Sequence, residues 1–162
     1  LYNYRNVFGE PSHSIEVSGV KIDIVDNSDI YKGIDQKDWD GLLASLKKPA
    51  KLHLVFSHKT PFHPQSAHIM GSENESVAAQ AKEYLRILEE SKVDGFFSGD
   101  LHFFAEFSSE GGSTSGGQSP NQAVKITTIG AVGSERNFQG PRFAVVKVYS
   151  DYSWDTGDVE IR

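Results

Sequence analysis

A layered α/β sandwich built on a mixed sheet is the fold class this sequence predicts, and three observations predict it. Short apolar runs of strand length alternate with two amphipathic stretches of helix length through the first part of the chain. Several strand-like runs then follow with no helical stretch between them, and nothing in the chain repeats. Strands separated by helices, followed by a strand-rich end, suit a sheet in which parallel and antiparallel pairs coexist.

Each element can be justified in turn. In "HSIEVSGVKIDIVDNS", Ile15 and Val17, then Val20, Ile22 and Ile24, alternate with other residues on either side of Ser18-Gly19, a two-residue turn pair; the pattern predicts a β-hairpin. "DQKDWDGLLASLKK" places Trp39, Leu42, Leu43 and Leu46 at spacings of three and four, with Asp35 positioned to cap the N-terminus and lysines at the far end to meet the helix dipole. That is an amphipathic helix, closed by Pro49. "KLHLVFSH" is too short for a helix and reads as a buried strand ending at His58, with a loop containing Pro61 and Pro64 after it. Over residues 74–90, Val77, Ala81, Tyr84, Leu85 and Leu88 form one apolar stripe, which predicts a long surface helix. "VDGFFSGDLHFFAEF" supplies two strand-like runs broken at Ser98-Gly99, in which Phe96, Phe97, Phe103 and Phe104 are expected to pack the strands. Residues 111–120, "GGSTSGGQSP", have the composition of a flexible connector. "AVKITTIGAVGS" and "RFAVVKVYS" read as strands, and "TGDVEIR" as a short terminal one.

The 162 residues suit one domain, large enough to bury a core without disulfides or a structural metal. A net charge of −6 argues against non-specific binding to nucleic acid or to an acidic membrane surface. With no cysteine, there can be no disulfide, thiol nucleophile, iron–sulfur cluster or thiolate zinc site, so a metal would have to be held by His, Asp, Glu, Asn or backbone oxygens. No apolar run approaches the roughly 20 residues that cross a bilayer. Beginning at Leu1 without an initiator methionine, the chain reads as a processed or truncated product.

Two of the predicted strands end alike: His58 follows "LVFS", and Gly99-Asp100-Leu101-His102 follows "GFFS". Ligands in open α/β sheets gather outside the carboxyl ends of strands. At extended spacing Asp100 and His102 would project to one side and converge on one ion or on two neighbouring ones, and imidazole with carboxylate suits Zn, Mn or Fe. Alone, such a pair equally suits a turn cap. His53 reads as a solvent-facing or hydrogen-bonded strand residue, and His13 and His68 as surface loop residues without partners. His63, five residues past His58, is a candidate substrate contact.

The order of several stretches raises the pair above a turn cap. "FGEPSHSIEVSGVKIDIVDNSD", "DQKDWDGLLASL", "VFSHKTPFHP", "FFSGDLHFFAEF" and "TTIGAVGS" occur in sequence, and together they resemble the calcineurin-like metallophosphoesterases, including the purple acid phosphatase branch. The resemblance implies the C-terminal half of a four-layer α/β/β/α metallophosphoesterase sandwich with a mixed β-sheet, over residues 1–162. It implies phosphate-ester hydrolysis by water activated between two metal ions, Zn, Mn or Fe. His58 would bind the second metal and His102 the first, and Asp100 would stand where the family's block has its first histidine. A carboxylate there lowers the charge of the site by one.

The family's first-half blocks are missing. The only Asp-x-His is Asp100-Leu101-His102; there is no Gly-Asp-x-x-Asp, and "GSENES" does not replace Gly-Asn-His. The chain is therefore expected to lack the bridging ligand, to bind metal weakly and to be inactive alone. Half a sandwich would also bare apolar faces and sheet edges. The expected partners are a phosphate-ester substrate and, over the bared surface, the missing N-terminal segment or a second copy of the chain. A non-catalytic binding or scaffolding domain that keeps the half-fold is the alternative.

Overall fold

The computed structural model describes residues 2–109, 123–133 and 137–162. The connector expected at 111–120 lies outside them, as does Ser134 at the end of "TTIGAVGS". The chain runs α1 (Tyr2–Phe8), β1 (His13–Val17), β2 (Val20–Val25), α2 (Gln36–Leu46), β3 (Leu52–Ser57), α3 (Glu75–Glu90), β4 (Gly95–Ser98), β5 (Ala105–Ser108), β6 (Lys125–Thr128), β7 (Arg142–Val148) and β8 (Trp154–Glu160). Six strands form one mixed sheet in the order β1-β2-β3-β4-β6-β5, and β7 with β8 forms a second, two-stranded sheet. β2, β3, β4 and β6 are mutually parallel; the flanking strands β1 and β5 are antiparallel to their neighbours.

The local chemistry follows the sequence closely. Ser18 and Gly19 both take positive φ, 51° and 84°, as a hairpin turn that matches strand twist requires. The Asp35 side chain accepts from the Asp38 amide and starts α2, and Asn74 does the same for Ser76 and Val77 at α3. At the far end of α2 the main-chain carbonyls of Ser45 and Lys48 accept from the Lys21 ammonium at 3.0 and 2.7 Å. That lysine is buried, so a strand residue takes over much of the dipole compensation expected of the helix's own lysines.

The sheet has two unequal faces. Val25, Val55, Phe96 and Ile126 point to one face and form the larger core with Leu42 of α2 and with Val77, Ala81, Tyr84, Leu85 and Leu88 of α3. On the other face Leu52, Leu54 and Phe97 pack against Val146, Tyr152 and Trp154 from the β7-β8 hairpin. Gly95 permits this docking: a Cβ there would lie 2.7 Å from Trp154 Cη2. The hairpin covers only part of this face. Ile15 and Val17 of β1 stay exposed, as do Phe143, Val145 and Val159 on β7 and β8.

"VDGFFSGDLHFFAEF" departs from expectation. β4 ends at Ser98 and β5 begins only at Ala105, so Phe103 and Phe104 lie in the intervening loop and do not pack within strands. α1 is an element that the apolar pattern did not announce.

Candidate functional site

All four parallel strands end on one side of the sheet, and the polar residues singled out from the sequence follow those ends. His58 comes directly after β3, and Asp100 lies two residues beyond β4. The two loops are tied together by the Gly99 amide, which donates to the His58 carbonyl at 3.0 Å. A third loop joins them: buried Asn27, just past β2, donates to the Lys59 carbonyl and accepts from the Lys59 amide, both at 2.8 Å.

Asp100 is the centre of the resulting cluster. Its Oδ1 lies 3.6 Å from His58 Nε2, and its Oδ2 lies 3.2 Å from Lys59 Nζ and 3.1 Å from His68 Nε2. Glu73 completes the ring, 3.7 Å from the same ammonium and 3.9 Å from His68 Nδ1. Asp100 is only 16% exposed and Lys59 5%, whereas the His58 and His68 rings are half open to solvent. Oδ2 is buried and has these two nitrogens alongside it without a directed hydrogen bond. The carboxylate is thus held by charge and left under-coordinated, the condition in which a carboxylate can accept a further ligand.

The backbone here is unusual. Asp100 and His102 both adopt left-handed φ, 62° and 63°, which costs a non-glycine residue about 1 kcal/mol. The extended geometry that would send both side chains to one side is therefore absent. Asp100 turns toward β3. The His102 carbonyl accepts from Ala131 at 3.3 Å, and among the described residues no hydrogen bond or ion pair links its ring to Asp100 or His58.

The His63 ring stands edge-on to Phe103 and Phe107, with centroids 5.6 and 4.7 Å away. Its Nδ1 accepts from the Gln65 and Ser66 amides at 3.1 and 2.9 Å, which leaves the proton on buried Nε2. Burial pushes the imidazole below its ordinary pKa range. Lys59, His68, Glu73 and Asn27 are the site residues that sequence reasoning missed. His68 was expected to have no partner; only the fold of the loop after β3 brings it to Asp100.

His53 takes the hydrogen-bonded role, in a second polar cluster. Its Nε2 lies 2.5 Å from Asp23 Oδ2 under α2, and Asp23 also accepts from Ser14 and Ser45. Burial alone would raise the Asp23 pKa, but these hydrogen bonds outweigh it and hold the carboxyl below its usual range. A cavity of about 160 Å³ borders the cluster, lined in part by Ser12, Ser14 and Lys37.

Whether the strand-end residues fit a metal ion can be judged from the donors themselves. His58 Nε2 and Asp100 Oδ1 face each other at a separation that two ligands of one zinc-sized ion take, and Lys59 lies against the opposite oxygen. Those two donors fit. Among the described residues no group of three or more His, Asp or Glu side chains is arranged to hold an ion, so further ligands would have to come from elsewhere.

The class the described residues define is a mixed α/β chain with a six-stranded mixed sheet and a smaller antiparallel sheet. No protein-family model and no curated protein matches it. Among solved structures it is similar to GAP50, the anchor in the inner membrane complex of Plasmodium, with 15% identity, 92% of this chain covered and a TM-score of 0.47. The chain spans 45% of the length of that protein. Likeness at this level carries no argument about fold or function.

Proposed function

We propose that this chain is the C-terminal half of a calcineurin-like phosphoesterase sandwich and supplies part of a binuclear site for phosphate-ester hydrolysis. The observation that carries the reading is the meeting of His58 and Asp100 across the ends of adjacent parallel strands, 3.6 Å apart. His58 and Asp100 would hold one metal ion, and His102 would contribute to a neighbouring one when the missing ligands are present. Paired ions in such a site activate water and offset the charge of the phosphoryl group. Lys59 lies 3.2 Å from Asp100 Oδ2 and orients the carboxylate, and Asn27 fixes the backbone that carries His58 and Lys59. The uncovered apolar side chains of β1 beside the hairpin, and those on the outer face of the β7-β8 hairpin, support a partner, the missing N-terminal segment or a second copy of the chain.

The test is metal analysis and intact mass of the purified protein, with p-nitrophenyl phosphate as substrate and Mn or Zn added. A co-purifying segment that carries the first-half blocks, metal bound, and hydrolysis abolished by His58→Ala are expected. An unchanged metal content and stability in His58→Ala would overturn the site.

A non-catalytic binding or scaffolding role is the second reading, and Lys59 is what favours it. Its buried ammonium already supplies a positive charge to Asp100. If Lys59 has replaced the ion, Mn and Zn will not bind even with the first-half segment present, and Lys59→Met will create affinity for them.

A further inference from the structure

From the loops beside the candidate site a row of five aromatic rings runs outward: Phe62 against Phe107, Phe107 against His63, His63 against Phe103, and Phe103 against Phe138. The inner end is anchored, because Phe62 and Phe107 pack on the larger core. The outer end is not, for Phe138 is 82% exposed.

The loop that carries Phe138 is pinned on both sides. Asn137 is buried and donates to the carbonyls of Ala131 and Gly140, at 3.0 and 2.5 Å. The Gln139 side chain accepts from the Phe104 amide at 2.6 Å and donates to the Phe104 carbonyl at 3.0 Å. The Arg142 guanidinium donates to the Gln139 and Gly140 carbonyls. An asparagine is thus buried while the neighbouring phenylalanine faces water, the reverse of what burial energetics alone would select. Because the backbone on either side of Phe138 is pinned, little backbone entropy is lost when a ligand stacks on the ring.

Phe103 directly follows His102, and its carbonyl accepts from Thr128 Oγ1 at 2.9 Å at the end of β6. His63, its other ring partner, lies in the loop that leaves His58. Through His63 and Phe103 the aromatic row shares the loops after β3 and β4 with the candidate site, and Phe138 joins it from the loop between β6 and β7. We infer that Phe138 and Phe103 form a stacking platform for a planar aromatic leaving group of a phosphate ester. This inference rests on the phosphoesterase reading and names its substrate class.

The test compares the protein and its Phe138→Ala and Phe138→Tyr variants, with Mn or Zn present, in binding 2-naphthyl phosphate, glycerol 2-phosphate, 2-naphthol and inorganic phosphate. The wild type should bind 2-naphthyl phosphate about 10-fold more tightly than glycerol 2-phosphate, as stacking on an aromatic side chain implies. Phe138→Ala should lose that preference and keep its melting temperature, and Phe138→Tyr should restore it. Equal binding of the two esters by the wild type, or a preference that survives in Phe138→Ala, overturns the platform. The alcohol separates the two failures: with the first-half segment present, 2-naphthol bound through Phe138 without binding of inorganic phosphate supports the platform and sinks the phosphoester reading. A wild type that binds inorganic phosphate but shows no Phe138-dependent binding of 2-naphthol sinks the platform alone. Quenching of Phe138 by a partner segment that excludes 2-naphthol would also overturn it.

Discussion

Two aspartate–histidine pairs sit on the same sheet and differ in almost every physical respect. Asp23 and His53 are 2.5 Å apart beneath α2, with side chains 3% and 8% exposed. Ser14 and Ser45 supply further donors to the carboxylate, so its lone pairs are used. Asp100 and His58 are 3.6 Å apart, the histidine is 53% exposed, and the aspartate backbone is left-handed. One buried Asp100 oxygen has no directed hydrogen bond. A saturated pair stabilises the fold and has nothing left to offer a ligand; an under-coordinated pair at strand ends keeps acceptor capacity at some cost in backbone strain.

Removing each carboxylate should separate the pairs most clearly. Asp23→Ala leaves two buried donors, His53 and Ser45, and the exposed Ser14 without their acceptor and is expected to cost about 3 kcal/mol. Asp100→Ala leaves Lys59 with Glu73 and half-exposed histidines, and should cost about 1 kcal/mol. Denaturant titration of both variants measures the contrast, and equal losses would abolish it.

Acid should sharpen the same comparison by a smaller amount. Because the folded Asp23 carboxyl lies below its usual range, the unfolded chain takes up that proton more readily. The stability it contributes is present at neutral pH and is lost as pH falls below about 4 through the folded value. Melting curves of wild type and Asp23→Asn between pH 7 and 3 should converge toward the acid end.

The smallest effect belongs to His63. Burial lowers its pKa, so the unfolded chain binds its proton first, and stability should decline as pH drops below about 6.5. His63→Gln should flatten that part of the profile. A wild-type profile that is already flat there would show that the ring is solvated.

Much of the scaffold was readable because its signals are local. Ser18-Gly19, the Asp35 cap and the stripe from Val77 to Leu88 each state their conformation within a few residues. Placement of His58 and Asp100 at strand ends was readable for the same reason. The coupling of Asp100 to His68 and Lys59 was not, since it joins residues from separate loops. The stretch after Ser98 misled for a different reason: its phenylalanines have strand propensity, yet Phe103 packs on His63 and Phe138 in a loop.

The sequence by itself determined the β1-β2 hairpin, the two amphipathic helices α2 and α3, the strand ahead of His58, and that any metal chemistry must use imidazole and oxygen ligands. Those properties depend on residue type, on period and on nearest neighbours. Tertiary structure alone decided which histidine meets which aspartate, that Lys59 is buried against Asp100, and that Phe138 is held into solvent. Each of these is a meeting of distant segments, set by sheet order and loop packing, and no pattern along the chain encodes it.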